Sequence, residues 1–351
     1  MTLYDIKIKV QNNLLLPIVV RHKKLADLYF FLFSSEFSRE HQKVLQGKYK
    51  IIRALKEQKG HAFHLRRQIH RIEKGLIMKN RRPSFAKDYV TDTLKYYELL
   101  SKDVGVNPEA DKEFMLWAYS VLKTYFEAVT HDEFITPLYD RFSKFTHPYH
   151  LEMEAPTSAP YKHKEIVNSG ITYESFLQLA KQRRSVRYFL EKEVSIEMIK
   201  KAMLAAAYAP SACNRQPFYY HVYTDQEKKD KVGALPPGIR PFFKNIPVMM
   251  VLVGRLSAYI SERDRHTMYL DGGLASMGFV LALETLGLSS LTINWPDIEF
   301  YEDKMEALIP IADDERPLML IGVGYADPEG GIPYSQKKSP DLLLKINETN
   351  E

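Results

Sequence analysis

Two short groups of polar residues carry the side chains best suited to chemistry, and the first is the basic run at residues 183–187. It reads Arg-Arg-Ser-Val-Arg and follows a segment, 171–182, with the periodicity of a helix. In an extended strand alternate side chains share a side, so Arg183, Ser185 and Arg187 would face the same way. Guanidinium groups pair with phosphate oxygens through two parallel hydrogen bonds. The run therefore indicates a phosphate site, although a solvated basic turn is the commoner explanation of these five residues alone.

The second group is the loop at residues 209–217, which reads Ala-Pro-Ser-Ala-Cys-Asn-Arg-Gln-Pro. It links an alanine-rich helix to a β-rich run. Asn214 and Gln216 offer both donors and acceptors, as the edge of a flavin or nicotinamide ring requires, while the prolines fix the shape of the loop. Taken alone, polar caps on a helix-to-strand turn are the commoner explanation of this loop. We expect Cys213 to be a small packed loop residue and not a nucleophile.

Together and in this order, the two groups resemble the nitroreductase family, whose chains carry Arg-x-Ser-x-Arg or Lys followed by Pro-Ser-x-x-Asn-x-Gln-Pro. The resemblance covers about residues 165–345 and leaves the preceding residues unassigned. It implies that FMN is the cofactor, with NADH or NADPH as co-substrate, and that two copies form a homodimer with flavin at the interface.

The resemblance also implies which residues hold the cofactor. Four basic-run residues would hold the phosphate, ribityl chain and ring edge of FMN: Arg183, Arg184, Ser185 and Arg187. The partner subunit would supply loop residues, which are Pro210, Ser211, Ala212, Asn214 and Gln216. A backbone contact to the flavin would fall near Asn294 and Trp295, where a Trp in place of the family's Gly would narrow the substrate pocket or displace the loop. A second basic phosphate contact would come from Lys337 or Lys338.

The activity implied by the resemblance is a ping-pong reaction: NADH or NADPH delivers hydride to the flavin, and a small organic acceptor, nitroaromatic or quinone-like, then takes it up. Arg183 is the expected cation near the reduced ring. Two alternatives stay open. One is a same-fold dehydrogenase or dehalogenase with a different substrate. The other is a flavin-binding or flavin-free scaffold in bacterial surface-polysaccharide assembly.

The second half of the chain alternates short β-rich runs with helical segments, which is typical of an α+β fold. We predict strands at 218–223, 247–253, 288–293 and 318–323. A helix should begin at Ser195 and end before Pro210, and Thr224 with Glu227 predicts a capping box at the next helix. Small residues in the apolar segment 271–286 would let another backbone approach a long helix. The resemblance adds that the sheet is central and mainly antiparallel, with helices on its flanks.

The first part reads as an all-helical N-terminal domain. Apolar residues recur at three- and four-residue spacing at positions 25, 28, 29, 31 and 32, and the pattern returns at 89–100 and 113–129. Asn107-Pro108 and Thr136-Pro137 predict breaks between helices. The proline-containing stretch 147–164 predicts a connector, which divides the chain into domains 1–164 and 165–351.

Between Lys43 and Lys87 twelve basic residues are offset by two acidic ones. Such a face suits an anionic partner or a membrane surface, and we expect no nucleic-acid partner. Equally, it could pair with acidic residues elsewhere, such as Glu152 and Glu154. The segment 65–76 resembles helical extensions on nitroreductase-like proteins associated with surface-polysaccharide assembly.

Metal binding and secretion are both disfavoured by the sequence. His61, His64 and His70 lack a nearby cysteine or a well-spaced carboxylate to complete a metal site, so no metal is expected. The single cysteine allows no internal disulfide, and the apolar run 14–20 is short, contains Pro17 and meets Arg21, which argues against a secretory signal or a membrane span. A cytoplasmic protein is the expectation.

Overall fold

The computed structural model describes residues 16–57, 59–102, 111–145 and 158–347. Up to residue 145 its regular elements are all helices: α1 Leu16–Val19, α2 Lys23–Phe33, α3 Ser38–Lys56, α4 Ala62–Leu76, α5 Val90–Lys102, α6 Lys112–Ala128 and α7 Ile135–Lys144. The prediction of an all-helical first part is confirmed for these residues. The Asn107-Pro108 break and residues 147–157 of the expected connector lie outside the described residues.

Helices α4 to α7 share one hydrophobic core. Leu65, Ile69 and Ile72 of α4 are completely buried at the three- and four-residue spacing of one helical face, and they pack against buried residues of α5, α6 and α7. Before α4, His61 accepts a hydrogen bond from the His64 amide, which satisfies one of the unpaired donors of the first turn. Burial of this stripe, rather than helix propensity, holds the four helices together.

One prediction for this region is wrong. Thr136 and Pro137 do not separate helices but lie in the first turn of α7, where a missing amide proton costs nothing because no acceptor precedes it. The helix predicted from apolar spacing at residues 25–32 is present as α2, but it has no buried residue, and Phe31 is 83% exposed. Periodicity shows that a helix has an apolar side but not that a partner covers it.

The C-terminal half combines one sheet with helices on its flanks. Its main elements are α8 Tyr173–Gln182, α9 Ile196–Ala207, β1 Phe218–Tyr223, α10 Gln226–Gly233, β2 Val248–Arg255, α11 Thr267–Thr285, β3 Ser289–Asn294, α12 Glu299–Leu308, β4 Glu315–Gly324 and α13 Pro340–Leu343. The four strands lie in the order β1-β2-β4-β3, and each neighbouring pair is antiparallel. The predicted α+β class with an antiparallel sheet is confirmed, and every predicted strand is present to within three residues.

Helix α11 covers one side of the sheet and packs against α9. A Cβ added at Gly278 would meet the backbone of Ala205 and Ala206 at 3.6 Å, which is ordinary van der Waals contact. The small side chains of α11 therefore bring it close to another backbone, as expected from the sequence. On the other side of the sheet, α10 and α12 cover a second core that includes Met249, Val251 and Leu320.

Helix starts in this half follow local signals with one correction. Ser195 caps α9 by accepting a hydrogen bond from the Glu197 amide at 3.2 Å, as predicted. At α10 the cap is Asp225, which accepts from the Lys228 amide at 3.1 Å, and not Thr224. Both residue types suit an N-cap, and the structure places Asp225 at that position.

Helix α3 joins the helical region to the C-terminal half. At Gly47 its backbone lies so close to Leu256 that an added Cβ would be 2.6 Å from the Leu256 carbonyl carbon. Arg39 bonds to Glu299 and Glu306, each at 2.7 Å, and to Asp303. Helix α3 is thus held by packing and charge against residues more than 200 positions away. A division into domains 1–164 and 165–351 stays a proposal.

The basic stretch 43–87 is largely paired in the structure. Lys43 is buried and bonds to Glu306 at 2.8 Å, Lys48 pairs with Glu262, and Lys50 with the buried Asp314. These acidic partners come from the C-terminal half and not from Glu152 and Glu154, which lie outside the described residues. The start of the predicted basic face is therefore an internal contact between the two parts of the chain, whereas later residues such as Arg53 and Arg71 pair with carboxylates of the helical region.

Candidate active site

The basic run lies at the junction of α8 and the sheet. Arg183 caps the C-terminus of α8, and beyond it the chain turns extended, so that Ser185 forms a parallel bridge with Ser290 of β3. The Val186 amide donates to the Ser290 carbonyl at 3.0 Å, and the Val186 side chain is buried. One hydrogen bond and one buried side chain thus fix the direction in which the arginines leave the sheet.

Arg183 and Arg184 line a cleft of about 430 Å³ together with the C-terminal segment. The other residues around it are Ala180, Lys181, Tyr334, Ser335, Gln336 and Lys337. Four of the eight lining side chains are cationic and none is acidic. The tertiary structure thereby brings together residues about 150 positions apart.

Three cations of this cleft form no close ion pair with the described protein, although the charge of Arg183 acts on the Glu284 carboxyl group behind it. Within the described ranges, the side chains of Arg183, Arg184 and Lys337 make neither a hydrogen bond nor an ion pair. Like charges held close without a partner favour an anion, because a charge-assisted hydrogen bond contributes about 1.5–3 kcal/mol. The donor set of the cleft fits the phosphate of a mononucleotide.

A buried carboxyl group lies behind Arg183. Glu284, near the end of α11, is 9% exposed, and Gln182 Nε2 lies 3.4 Å from its Oε2. Burial raises the pKa of Glu284, while hydrogen bonds from Gln182 and Ser289 and the charge of Arg183 act in the opposite direction. Glu284 therefore orients the segment that carries Arg183.

Arg187 and Lys338 do not line the cleft. The Nη1 of Arg187 donates to the Ser185 carbonyl at 3.2 Å, so its guanidinium folds back on its own segment. Lys337 lines the cleft whereas Lys338 is directed elsewhere. Of the basic residues expected at the phosphate, the structure brings Arg183, Arg184 and Lys337 together.

The loop after α9 has an unusual backbone. Cys213, Asn214 and Gln216 have φ values of 55°, 51° and 52°, in the left-handed region that side chains other than glycine seldom adopt. Gln216 stabilises this path, since its amide donates to Ser211 Oγ at 3.2 Å and its Nε2 to Asn214 Oδ1 at 2.8 Å. Strain of this kind persists only where the surroundings enforce it and is often found at ligand sites.

Asp271 anchors the same loop from helix α11. Its two carboxylate oxygens each lie 3.1 Å from the Ala212 amide, and burial raises the pKa of this carboxyl group. On the other side, helix α4 of the helical region packs against the turn Ala212–Asn214. Pro210, Ser211, Ala212, Asn214 and Gln216 thus form one clamped loop, but none of them lines the cleft at Arg183.

Asn294 is the last residue of β3, and Trp295 follows it. Ser290 bridges to the basic run, and four further residues at about 3.3 Å each place Asn294 roughly 13 Å along the strand. The Trp295 indole is buried in the core and donates to Glu302 at 2.8 Å. Its side chain fills the interior behind α12, and the expectation that it narrows a substrate pocket or displaces the loop stays a prediction.

Several residues of the site carried too weak a signal to be found from sequence. Tyr334, Ser335 and Lys181 line the cleft without belonging to a motif. Asp271 and Glu284 could have been found, because carboxyl groups inside an apolar, small-residue helix must have a polar partner when buried.

Two of the three histidines near α4 are packing residues, and the third, His70, contacts Glu73 at 3.1 Å. Burial lowers the pKa of His61 and of His64, each to about 4, and the charges of Arg67 and His64 nearby contribute. In the part of the chain that the structure describes, no three or more His, Cys, Asp or Glu side chains are arranged to hold a metal ion.

Comparison with known proteins places this geometry in a family. The model of the nitroreductase family matches residues 180–237 and 234–325, a range that holds the basic run, the clamped loop and the whole sheet. The C-terminal part of the chain is a nitroreductase-family domain. Such a domain belongs to an oxidoreductase, and the helices before it are outside the match.

Similar curated proteins carry two kinds of name. A protein of Methanothermobacter thermautotrophicus named as an NADH dehydrogenase/NAD(P)H nitroreductase is 27% identical over 165 residues, 45% of this chain and 81% of that one. An iodotyrosine deiodinase of Haliscomenobacter hydrossis is 23% identical over 216 residues, 54% of this chain and 94% of the other. Among solved structures, an FMN-dependent nitroreductase from Clostridium difficile shares 21% identity and a TM-score of 0.42, covering 49% of this chain and 99% of its own.

None of the helices described in the structure is both long enough and apolar enough to cross a bilayer.

Proposed function

We propose that this chain is an FMN-dependent oxidoreductase that uses NADH or NADPH to reduce a small organic acceptor, nitroaromatic or quinone-like. The observation that carries the proposal is the cleft of unpaired cations inside a nitroreductase-family domain. FMN, when bound, supplies two-electron redox chemistry. The residues of the chain supply its binding, its orientation and the charge around it.

In this proposal Arg183, Arg184 and Lys337 neutralise the phosphate. Ser185 lies at the start of the same extended segment and is positioned by its bridge to Ser290. Arg183 is also the cation proposed nearest the ring, where positive charge stabilises a reduced, anionic form. Arg187 and Lys338 would act only from outside the cleft.

The site would be completed by a second copy of the chain. The clamped loop and the cleft share no lining residue, and the loop would face the cleft of a partner in a homodimer. Leu270, Leu274 and Met277 on the outer side of α11 are 66%, 51% and 46% exposed. An apolar helix face of this kind suits a subunit interface.

Reductive dehalogenation is the second candidate function. The iodotyrosine deiodinase match spans 94% of that protein. The two candidates predict different acceptors for the same reduced enzyme: a nitroaromatic or quinone in the first case and a halogenated phenol in the second.

A third candidate is a scaffold in surface-polysaccharide assembly, with or without flavin. The segment 65–76 supports it only by resemblance, and the pairing of Lys43, Lys48 and Lys50 with carboxylates leaves less free positive charge for an anionic partner than the sequence suggested. We propose a cytoplasmic location, where NADH and NADPH are supplied.

A visible absorption spectrum tests the main proposal. Purified protein should bind added FMN, and anaerobic NADH or NADPH should bleach the flavin band. Turnover is then compared with a nitroaromatic, a quinone and a halogenated phenol. Flavin that binds but is reduced by neither nucleotide would favour a same-fold dehydrogenase or dehalogenase, and protein that binds no flavin would favour the scaffold.

A further inference from the structure

The first two helices of the described residues expose an apolar surface that the rest of the described protein does not cover. Neither α1 nor α2 has a buried residue. Phe31 is 83% exposed, Val20 75%, Ile18 59% and Leu32 58%. By contrast, α4, of similar length, buries six residues. A soluble protein seldom leaves so many large apolar side chains in one short segment, so a partner surface is expected there.

Aromatic residues of this segment pack against one another. The rings of Phe30 and Phe37 lie 4.8 Å apart, and those of Tyr29 and Phe33 lie 5.3 Å apart. Phe30, Phe31 and Phe37 line an open cleft whose other side includes Arg265, from just before α11. The aromatic side chains therefore form one cluster that stays largely exposed.

Free positive charges stand beside this apolar surface. Arg21, Lys23 and Lys24 are exposed, and none of their side chains forms a hydrogen bond or an ion pair among the described residues. They occupy the turn between α1 and the body of α2, next to Val20. Acidic residues in the same stretch are Asp27 and Glu36.

We propose that residues 16–37 bind the surface of an anionic lipid bilayer and attach this protein to it. Apolar side chains next to lysine and arginine match a bilayer with acidic headgroups, where the former enter the acyl boundary and the latter stay with the phosphates. Helix α2 has 11 residues and is about 16 Å long, against about 30 Å of hydrocarbon, so it lies in the interface and does not span it.

Vesicle co-sedimentation of the full-length protein tests the proposal. Wild-type protein should sediment with vesicles of phosphatidylcholine and phosphatidylglycerol, and much less with phosphatidylcholine alone. Phe31→Asp with Leu32→Asp should abolish binding. Lys23→Gln with Lys24→Gln should weaken binding to the acidic vesicles about tenfold or more, since each cation near such a surface contributes about a factor of five.

Two matched controls change the same residue types elsewhere. Phe300 is 57% exposed on α12, and Phe300→Asp should leave binding unchanged. Lys228→Gln with Lys231→Gln removes two exposed lysines from α10 and should also have no effect. Because all these side chains are exposed, circular dichroism and thermal unfolding should show folded protein in every case.

Two results would overturn the proposal. One is vesicle binding that persists in both α2 variants. The other is wild-type protein that binds no vesicle; a change of mass in light scattering for Phe31→Asp with Leu32→Asp would then assign the surface to a second copy of the chain. Neither readout requires flavin, so the outcome is independent of the proposed enzymatic activity.

Discussion

Two groups of basic residues in this protein have opposite environments. Arg39, Lys43 and Lys50 of α3 are matched by carboxylates of the C-terminal half, whereas Arg183, Arg184 and Lys337 meet around a cleft with no acidic lining. The sequence made the first part look more strongly basic. The comparison teaches that a run of positive charge indicates a ligand site only when the fold leaves it without a counter-ion.

The largest expected effect comes from removing the unpaired cations. Arg183→Ala with Arg184→Ala should weaken FMN binding roughly 100-fold or more, because two charge-assisted contacts of about 1.5–3 kcal/mol each are lost. Stability of the flavin-free protein should change little, since neither side chain forms a hydrogen bond or an ion pair with the described residues. Fluorescence titration with FMN and urea unfolding measure the two quantities.

The variant Arg187→Ala shows whether the loss of FMN affinity is specific to the arginines that line the cleft. The Arg187 guanidinium donates to the Ser185 carbonyl and does not line the cleft, so we expect a smaller loss of FMN affinity than in Arg183→Ala with Arg184→Ala. Lys228→Ala with Lys231→Ala, far from the cleft, serves as the charge control. If the cleft double variant, Arg187→Ala and the charge control all lost the same FMN affinity, the cleft would not be the phosphate site.

Removing a basic residue of α3 that is paired with carboxylates should lower stability and leave FMN binding unchanged. Arg39→Ala leaves Glu299, Asp303 and Glu306 with only Lys43 as a neighbour and should lower the free energy of unfolding by about 2 kcal/mol. The value is moderate because Glu299 and Asp303 are mostly exposed. Urea unfolding at neutral pH measures it, and FMN affinity should be unchanged. Wild-type stability combined with lost flavin binding would reverse the roles assigned to the two groups.

The dependence of the unfolding free energy on pH is a smaller effect, and it tests whether the start of α4 is buried in solution. Burial lowers the pKa of His61 and His64 to about 4 in the folded protein, while unfolded histidine titrates near 6.5. Between these values the unfolded chain binds more protons than the folded one, so stability should fall as the pH is lowered from 6.5 toward 4. The slope should be about 1 kcal/mol per pH unit for each histidine.

Replacing His61 and His64 together isolates their contribution to the pH dependence of stability. His61→Asn keeps a capping side chain before α4, and with His64→Gln it should flatten the dependence of unfolding free energy on pH between 6.5 and 4.5. The exposed His163 is the control, and His163→Asn should leave the slope unchanged. A wild-type slope in the double variant would show that other groups carry the dependence.

The smallest effect is expected at basic residues of the stretch 43–87 that are exposed and make no contact. Lys74→Ala should change the unfolding free energy by less than about 0.5 kcal/mol and leave FMN affinity as it was. Urea unfolding beside Arg39→Ala gives a direct comparison within one region. A large loss of stability at Lys74 would mean that pairing with carboxylates is not what distinguishes the two residues.

Local signals in the sequence were sufficient for most elements. The strands were placed because runs of β-branched and aromatic residues differ from the surrounding helical periodicity, and the start of α9 was placed because Ser195 can bond to the next turn by itself. Thr224 and Asp225 show the limit of such signals, since two adjacent capping residues compete and the local sequence does not decide between them.

Packing between distant parts of the chain could not be predicted from local signals. The apolar residues of α2 and of α4 recur at similar spacing, yet among the described residues only those of α4 are buried, against α5, α6 and α7. Trp295 could have faced either a pocket or the interior, and its bond to Glu302 depends on where α12 lies.

The sequence by itself determined the order of helices and strands, the α+β class and the two groups of residues that resemble a flavin site, because each depends on neighbours a few positions apart. Only the tertiary structure decided that Lys337 joins Arg183 and that Lys50 is matched by Asp314, since charges far apart in the chain meet or miss one another according to how the helices pack on the sheet.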